Sequence, residues 1–353
     1  MGTANAAEPA VSVIITSYNR ERVIGDAIRS ILRQSMTDFE LIVVDDGSRD
    51  TTVKVVESFD DRRIRLVRHD ANRGIPAARN SGVEAARGRF IAWLDSDDVA
   101  RPNRIEVQLA YLHDNPATAL IGSCAGKIDE RGQPLGATRH PPFSHQQICA
   151  WLLFRSAFQQ SSVFGRAAVL KRFPYRAEFP VCEDIDVFIR LSRDHRLENL
   201  PQVLIDRRIH PLQSVSTWSA RVRERKAALQ SELLDELGVE WSPIDLERHV
   251  ALGSGSSGKA GLGAEFLQWA QAWLEQLVRA NEVSRIYDRG ALRFACAYFW
   301  TAACRHIGGS AGDVSSLGQI CSSPVTTGWL TPNAAQWLAR AARASLKKNE
   351  YAD

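Results

Sequence analysis

The stretch Arg89-Phe90-Ile91-Ala92-Trp93-Leu94-Asp95-Ser96-Asp97-Asp98 decides how this chain reads. It begins as an apolar run of strand length and ends in three carboxylates within four residues. A continuous apolar run is the mark of a strand buried on both faces of a parallel sheet. Ligands of open α/β sheets lie beyond the carboxyl ends of the strands, so the acids fall where a ligand would sit. Carboxylates this close repel unless a cation lies among them. A hard divalent ion holding a diphosphate fits, because Mg²⁺ and Mn²⁺ take one or two carboxylates together with phosphate oxygens. The plainer alternative is an acidic turn in which Asp95 or Asp98 caps a helix with Pro102 as its first residue.

Working outward, three earlier runs have the same design. Val11-Ser12-Val13-Ile14-Ile15 stops at the polar loop Thr16-Ser17-Tyr18-Asn19-Arg20. Leu41-Ile42-Val43-Val44 stops at Asp45-Asp46-Gly47-Ser48, and Ile64-Arg65-Leu66-Val67 is a third strand. Between them Val23, Ile24, Ala27, Ile28, Ile31 and Leu32 recur at helical spacing, and Ser48 or Asp50 can cap a helix carrying Val53 and Val56. Gly74-Ile75-Pro76 opens another helix, whose small inner face (Ala77, Ala78, Ser81, Gly82, Ala85) lets it lie close to a sheet. Strands alternating with helices imply βαβ units and right-handed crossovers. The strand ends then collect Thr16, Tyr18, Asp46 and Asp97 on one rim. A ring, a hydroxyl and carboxylates there suit a nucleotide. No Gly-x-Gly-x-x-Gly follows the first strand and no Gly-Lys-Ser/Thr loop occurs, which disfavours a dinucleotide site and a P-loop.

Further along, Thr118 to Ser123 predicts a strand, and Lys127 to Gly136 a hairpin arm turning at Arg131-Gly132. Gln159 to Phe164 reads as another strand with polar ends. Cys182-Glu183-Asp184-Ile185-Asp186 opens a helix with Ile185, Phe188 and Ile189 on its inner face. Glu183 and Asp184 in the first turn either stabilise the helix dipole, by ~0.3–1 kcal/mol each, or provide a general base. Arg207-Arg208-Ile209-His210 ends an apolar run with basic groups and an imidazole.

The 353 residues are enough for more than one domain, and 44% hydrophobic with 24% charged residues is ordinary for a globular protein. A net charge of +3 gives no reason to expect a nucleic-acid partner. The six cysteines show no Cys-x-x-Cys spacing and read as reduced thiols in a cytoplasmic setting. Residues 1–10 carry no signal pattern and are expected to be disordered. No apolar run reaches the ~18 residues of a membrane span.

Six of these motifs occur together and in order: Val13-Ile14-Ile15-Thr16-Ser17-Tyr18-Asn19, Val43-Val44-Asp45-Asp46-Gly47-Ser48, Asn72-Arg73-Gly74 with Ala77-Ala78-Arg79-Asn80, Leu94-Asp95-Ser96-Asp97-Asp98, Glu183-Asp184, and Arg208-Ile209-His210. Together they resemble inverting glycosyltransferases of family 2. The resemblance runs from about Val11 to Ser216 and implies a GT-A fold: a Rossmann-like, mostly parallel sheet flanked by helices. It implies that Thr16, Tyr18 and Asn19 bind the nucleotide, with Tyr18 against the base and Asp46 accepting from a uracil N3–H. Arg79 would approach the nucleotide-sugar, and Asp95 the ribose or sugar. Asp97 and His210 would hold a divalent metal, Mn²⁺ or Mg²⁺, under the diphosphate. Asp184 would be the catalytic base, with Glu183 as the alternative. The residue types agree: transfer needs a carboxylate to take the acceptor proton and a Lewis acid for the leaving group.

The resemblance stops before the last third. Leu229, Leu233, Leu234 and Leu237 form one helical stripe, Phe266, Trp269, Trp273 and Leu277 another, and Leu292, Ala295, Tyr298 and Phe299 a third. Leu252 to Gly258 reads as a linker, and Gly308 to Ser323 as a loop before a last helix carrying Trp337 and Lys347-Lys348. Residues 11–219 are therefore expected to form the transferase domain and 220–353 a helical appendage. The aromatic stripe suits a core better than a membrane surface, and peripheral contact at the cytoplasmic face is left open. The function expected is sugar transfer from a nucleotide donor, a UDP-sugar, to a saccharide or lipid-linked acceptor in polysaccharide or glycoconjugate assembly. The alternatives are a nucleotide-sugar-binding module without turnover and a nucleotidyltransferase.

Overall fold

The computed structural model of the chain describes residues 8–210, 219–254 and 263–307. They fall into two compact units, 8–143 with 158–210, and 144–157 with the described residues from 219 onward. Residues 1–7, the remainder of the expected linker (255–258), the loop at 308–323 and the helix expected around Trp337 lie outside the described residues.

The first unit is built as βαβ repeats. Strand β1 (Val11–Ser17), helix α1 (Ile24–Leu32), β2 (Phe39–Asp45), α2 (Thr52–Glu57), β3 (Ile64–Arg68), α3 (Ile75–Ala85) and β4 (Phe90–Trp93) alternate as the hydrophobic pattern predicts. The four strands are parallel in the order β3-β2-β1-β4. Val11, Val13, Ile15, Leu41, Val43 and Ala92 join Ile24, Ala27, Ile28 and Ile31 in one buried cluster. Small residues on α3 serve close packing: a Cβ on Gly82 would lie 2.5 Å from Ile14 Cγ2.

The chain continues with β5 (Val99–Ala100), α4 (Arg104–Asp114), β6 (Thr118–Ile128) and β7 (Pro134–Arg139), then, after an excursion into the second unit, β8 (Phe164–Arg166), α6 (Ala167–Leu170), α7 (Glu183–Asp194) and β9 (Arg196–Arg208). The excursion holds α5 (His145–Leu152), opened by a Ser144–Gln147 capping box. In the nine-stranded sheet β6 and β9 are a long parallel pair, β8 joins β4 to β6 antiparallel to both, and β5 and β7 pair antiparallel with β9 and β6.

Three local expectations are corrected. The helix after Pro102 starts at Arg104, with Asn103 at the cap position and no side-chain cap, so neither Asp95 nor Asp98 caps it. The segment from Gln159 is a 3₁₀ turn (Gln160–Ser162) before the strand begins at Phe164, because Ser162 N–H and Val163 N–H bond back to Gln159 O and Gln160 O. Leu252, Gly253 and Ser254, read as linker, are the last residues of a helix. Gly253 is required there for packing, since a Cβ would meet the Phe154 carbonyl.

The second unit contains α8 (Ser219–Leu237), α9 (Pro243–Ser254), α10 (Ala264–Ser284) and α11 (Arg289–Ile307), with α5 packed among them. The predicted stripes are interior: Leu229, Leu233, Leu234 and Leu237, Phe266, Trp273 and Leu277, and Leu292, Ala295 and Phe299 are all buried. Trp269 is half-buried and donates Nε1–H to Asp245. His249 is fully buried. It is satisfied by Leu153 O at Nε2 (2.8 Å) and by Trp273 Nε1–H at Nδ1 (2.9 Å). Burial lowers its pKa to about 4, so it stays neutral. Among the described residues no helix is long and apolar enough to cross a membrane.

Candidate active site

The parallel strands β1, β2 and β4 end together, and register places Ser17 beside Asp45. The three loops that follow form one rim. In the first, Thr16 is half-buried and Tyr18 is 37% exposed, a large ring left open to solvent. Asn19 sits at φ 54, the left-handed region that asparagine tolerates. It clamps the neighbouring loop, its N–H donating to Ser48 Oγ (2.9 Å) and its Oδ1 accepting from Arg49 N–H (2.9 Å).

The second loop carries two buried aspartates with different surroundings. Asp46 accepts from Arg73 N–H and Gly74 N–H, one on each oxygen at 2.9 Å, and contacts His69 Nδ1 at 2.7 Å. It holds the 69–74 loop against the strand ends. Asp45 Oδ2 accepts from Ser48 N–H at 3.0 Å, while its Oδ1 is buried with no hydrogen-bond partner. Gly47 is obligatory between them and Ser48, since φ is 74° and a Cβ would approach Ala71 backbone carbon to 2.6 Å. Tyr18, Asp45, His69 and Asn72 border a cavity of about 330 Å³.

The third loop is the acidic stretch. Asp95 and Asp97 are half-buried at the rim, whereas Asp98 is 2% exposed. The β5–β9 pairing, Val99 opposite Asp206, brings the end of β9 alongside. Arg208 N–H then donates to Asp98 Oδ1 (2.9 Å), and His210 Nε2 lies 2.9 Å from Asp97 Oδ2. Ser161 connects the acids: its Oγ contacts Asp95 Oδ2 at 2.9 Å and Asp98 Oδ2, and accepts from Asp95 N–H at 3.2 Å. A hydroxyl has one proton and two acceptor sites. The set closes when Asp98 is protonated and donates to Ser161, which donates to Asp95. Burial, with Asp97 and Asp95 nearby, does push the Asp98 carboxyl well above its ordinary value. Asp98 is thus a buried brace under the loop, and the more exposed oxygens belong to Asp95 and Asp97.

Helix α7 delivers the other acids. Cys182 precedes it at φ 64 without a side-chain cap. Glu183 is buried and accepts from Arg79 Nε–H at 3.0 Å, and Arg79 also reaches Asp95 Oδ1 at 3.4 Å. The guanidinium lies over the Trp93 and Tyr175 rings, 5.2 and 5.6 Å from their centroids. Burial alone would lower the Arg79 pKa, but Glu183 and Asp95 more than offset it and keep the group charged. Burial raises Glu183 to about 7 against the pull of Arg79. Asp184, half-buried, is also raised by burial, with Arg79 opposing. Asp186, the third acid, is buried and bound by Arg176 and Arg190.

The structure therefore brings Arg79, Asp95, Glu183 and Asp184 into one electrostatic cluster, and Asp97 and His210 into contact beside it. Thr16, Tyr18, Asn19 and Asp46 lie along the rim of the neighbouring strands. Sequence reading missed Ser161 and Tyr175, and quoted Arg208 in its motif without giving it a role. Ser161 lay in a segment read as a strand, and nothing in the pattern around Tyr175 marks a ring under an arginine.

A mostly parallel sheet with acids at its strand ends and a mixed extension is the GT-A arrangement that the six motifs imply, and comparison agrees. Residues 12–173 match the family model described as Glycosyl transferase family 2. In this region the chain resembles glycosyltransferase family 2, and it has the GT-A fold. It is 29% identical over 252 residues to a protein named "Uncharacterized glycosyltransferase" of Haemophilus influenzae, covering 67% of this chain and 78% of the relative. It is 41% identical over 113 residues to the Escherichia coli UDP-Glc:alpha-D-GlcNAc-diphosphoundecaprenol beta-1,3-glucosyltransferase WfgD, covering 32% of this chain and 45% of that one. The crystal structure of S. aureus TarS 1–349 in complex with UDP-GlcNAc superposes with a TM-score of 0.54 at 17% identity, over 83% of this chain and 90% of that one. The enzyme class is glycosyltransferase.

Proposed function

We propose that this transferase moves a sugar from a UDP-sugar to a hydroxyl of a saccharide or lipid-linked acceptor, with inversion at the anomeric carbon and with a divalent metal. The observation that carries the reading is the unequal treatment of the two acids on α7. Glu183 is buried and bound to Arg79, whereas Asp184 beside it is half-buried, makes no ion pair among the described residues, and accepts at Oδ1 from the adjacent Ile185 N–H. One accessible carboxylate, raised toward neutrality by burial, suits a general base.

Asp184 takes the proton of the acceptor hydroxyl. The freed oxygen pair attacks the anomeric carbon as the bond to the diphosphate oxygen breaks, and that oxygen leaves with its electron pair on UDP. Attack and departure occur in one in-line displacement, which inverts the anomeric carbon. Arg79, fixed by Glu183 and held against the Trp93 and Tyr175 rings, orients Asp95 for the sugar or ribose hydroxyls. At the base end, Tyr18 offers a ring face. The Asp45–Asp46 pair offers acceptors for an imide N–H, since each Asp46 oxygen retains lone-pair capacity.

Asp97 and His210 fit a hard metal: a carboxylate and an imidazole in contact at the rim, leaving other positions for phosphate oxygens. Among the described residues no group of three or more potential ligands forms, so phosphate and water would complete the shell. When bound, the metal would supply charge neutralisation of the departing diphosphate. The acceptor class draws on the WfgD name, which specifies a diphosphate-linked lipid.

The test is transfer and donor hydrolysis with a nucleotide-sugar panel, with Mn²⁺, Mg²⁺ or chelator, and product stereochemistry by NMR. Turnover of a UDP-sugar with inversion supports the proposal. Binding without turnover would favour the non-catalytic module, and a retained anomeric configuration would rule out the single displacement.

A further inference from the structure

Three consecutive residues on α3 reach three different parts of the first unit. Arg79 Nε–H donates to Glu183 Oε1 at 3.0 Å. Asn80 clasps the Tyr175 backbone, its Nδ2–H donating to the carbonyl and its Oδ1 accepting from the N–H, each at 2.8 Å. Ser81 Oγ lies 2.9 Å from His69 Nε2. Successive helix positions point about 100° apart, so these contacts fix α3 from separate directions. Arg79 and Tyr175 belong to the acid cluster. The Ser81–His69 contact has no part in the transfer step.

His69 turns its other nitrogen to the rim. Nδ1 lies 2.7 Å from Asp46 Oδ1, and each of the two side chains is 5% exposed. The His69 backbone is pinned as well, its N–H donating to Asp45 O at 2.9 Å. An ionised carboxylate only accepts, so Nδ1 carries the proton, and in that tautomer Nε2 accepts from the Ser81 hydroxyl. Asp46 thus takes the Arg73 and Gly74 backbone N–H groups and one imidazole N–H. The terminal torsion of an aspartate is broad and roughly two-fold, so the carboxylate plane is set by its donors. The two backbone groups tie it to a loop, whereas His69 ties it through Ser81 to a helix held on three sides. Oδ1 takes two of the donors and Oδ2 one, which leaves Oδ2 the more open oxygen. The His69 ring also borders the cavity of about 330 Å³ beside Tyr18.

We propose that His69 is a positioning residue for nucleotide selection, holding the Asp46 carboxylate in the orientation that accepts a base N–H. It rests on the reading of Asp46 as the acceptor for an imide N–H. A site built for one hydrogen bond rejects an analogue that lacks the donor, because the buried acceptor is then left unpaired. Uracil presents an N–H at N3 and cytosine a lone pair. A fixed carboxylate therefore favours the first base and repels the second. A carboxylate free to turn gives up part of that preference.

The experiment is isothermal titration of the full chain with UDP and with CDP, in Mn²⁺ buffer, on wild type, His69→Asn and His69→Gln. The wild type is expected to bind UDP at least about tenfold more tightly than CDP, as one charge-assisted hydrogen bond implies. The asparagine amide reaches the Nδ1 position and still donates to Asp46, so most of the preference survives. The glutamine amide reaches the Nε2 position and meets Ser81 instead. UDP binding should then weaken by about five- to tenfold, while CDP binding holds or tightens. His69→Phe keeps the ring volume and neither nitrogen; it should behave as His69→Gln and serves if that variant fails to fold. A ring kept only for packing would move both nucleotides alike in every variant, and that result overturns the proposal. Equal binding of UDP and CDP by the wild type removes the base reading of Asp46, and the proposal with it. A wild-type preference retained in His69→Gln or His69→Phe removes His69 alone.

Discussion

Arg79 Nε and Glu183 Oε1 meet at 3.0 Å, with 8% and 6% of the two side chains exposed, across 104 residues of chain. The pair fixes the start of α7 to α3, and so sets where Asp184 stands. Removing one member of a buried pair leaves the other uncompensated, at a cost of about 3–5 kcal/mol. Glu183→Gln keeps shape and some hydrogen bonding, so a loss toward the lower end is expected, seen as a lowered melting temperature. Unchanged stability would show that Asp95 alone satisfies Arg79.

The same residue sets a pH dependence. Glu183 is raised from 4.5 to about 7 by burial, so between those values the native state holds more protons than the unfolded chain. Stability from this group is fully present below about pH 4.5 and is lost as pH rises through about 7. Asp98 and Asp184 are raised too and act with the same sign. Melting temperature should fall from pH 5.5 to 8 in the wild type and fall less steeply in Glu183→Gln. Parallel profiles would contradict the assignment.

Ser161 closes the hydrogen-bond set under the acidic loop. Ser161→Ala strands the buried Asp98 carboxyl with Arg208 N–H alone, at a cost of about 1–3 kcal/mol. Donor affinity should fall with it, because Asp95 loses the same hydroxyl. Thermal melts and donor titrations on the variant check both; a stability loss with donor binding untouched would separate Asp95 from the donor.

Asp97→Asn should weaken metal-dependent UDP binding by at least about tenfold, the low end even for groups that only support a metal ligand, while leaving the melt cooperative. Calorimetry with and without Mn²⁺ is the check. Equal UDP affinity in both proteins would remove Asp97 from the metal.

Much of this fold is legible because its strands are fully buried. Val11–Ser17 and Phe39–Asp45 are apolar runs that end in polar groups, so the sequence marks both strand and rim. The same pattern could not show the state of each acid. Asp97 and Asp98 are neighbours with identical chemistry, yet one faces His210 and the other is a buried brace, a difference set by β9 more than a hundred residues later. Pro102 misled because its fixed φ suits a first helical turn, whereas here it occupies the turn before Arg104. Residues 144–157 belong to the second unit through Trp151 and Phe154, whose rings pack against Phe299, contacts no local pattern encodes.

The central claim is that Asp184 is the base, and the most direct measurement is the transfer rate of Asp184→Asn at saturating UDP-sugar, beside Glu183→Gln and with donor affinity measured on both. Asparagine is nearly isosteric but takes no proton at neutral pH. The account predicts a fall of at least about 10²-fold in transfer, the low end for loss of a general base, with donor affinity within a few-fold. A near wild-type rate for Asp184→Asn, with Glu183→Gln inactive, would contradict it and make Glu183 the base.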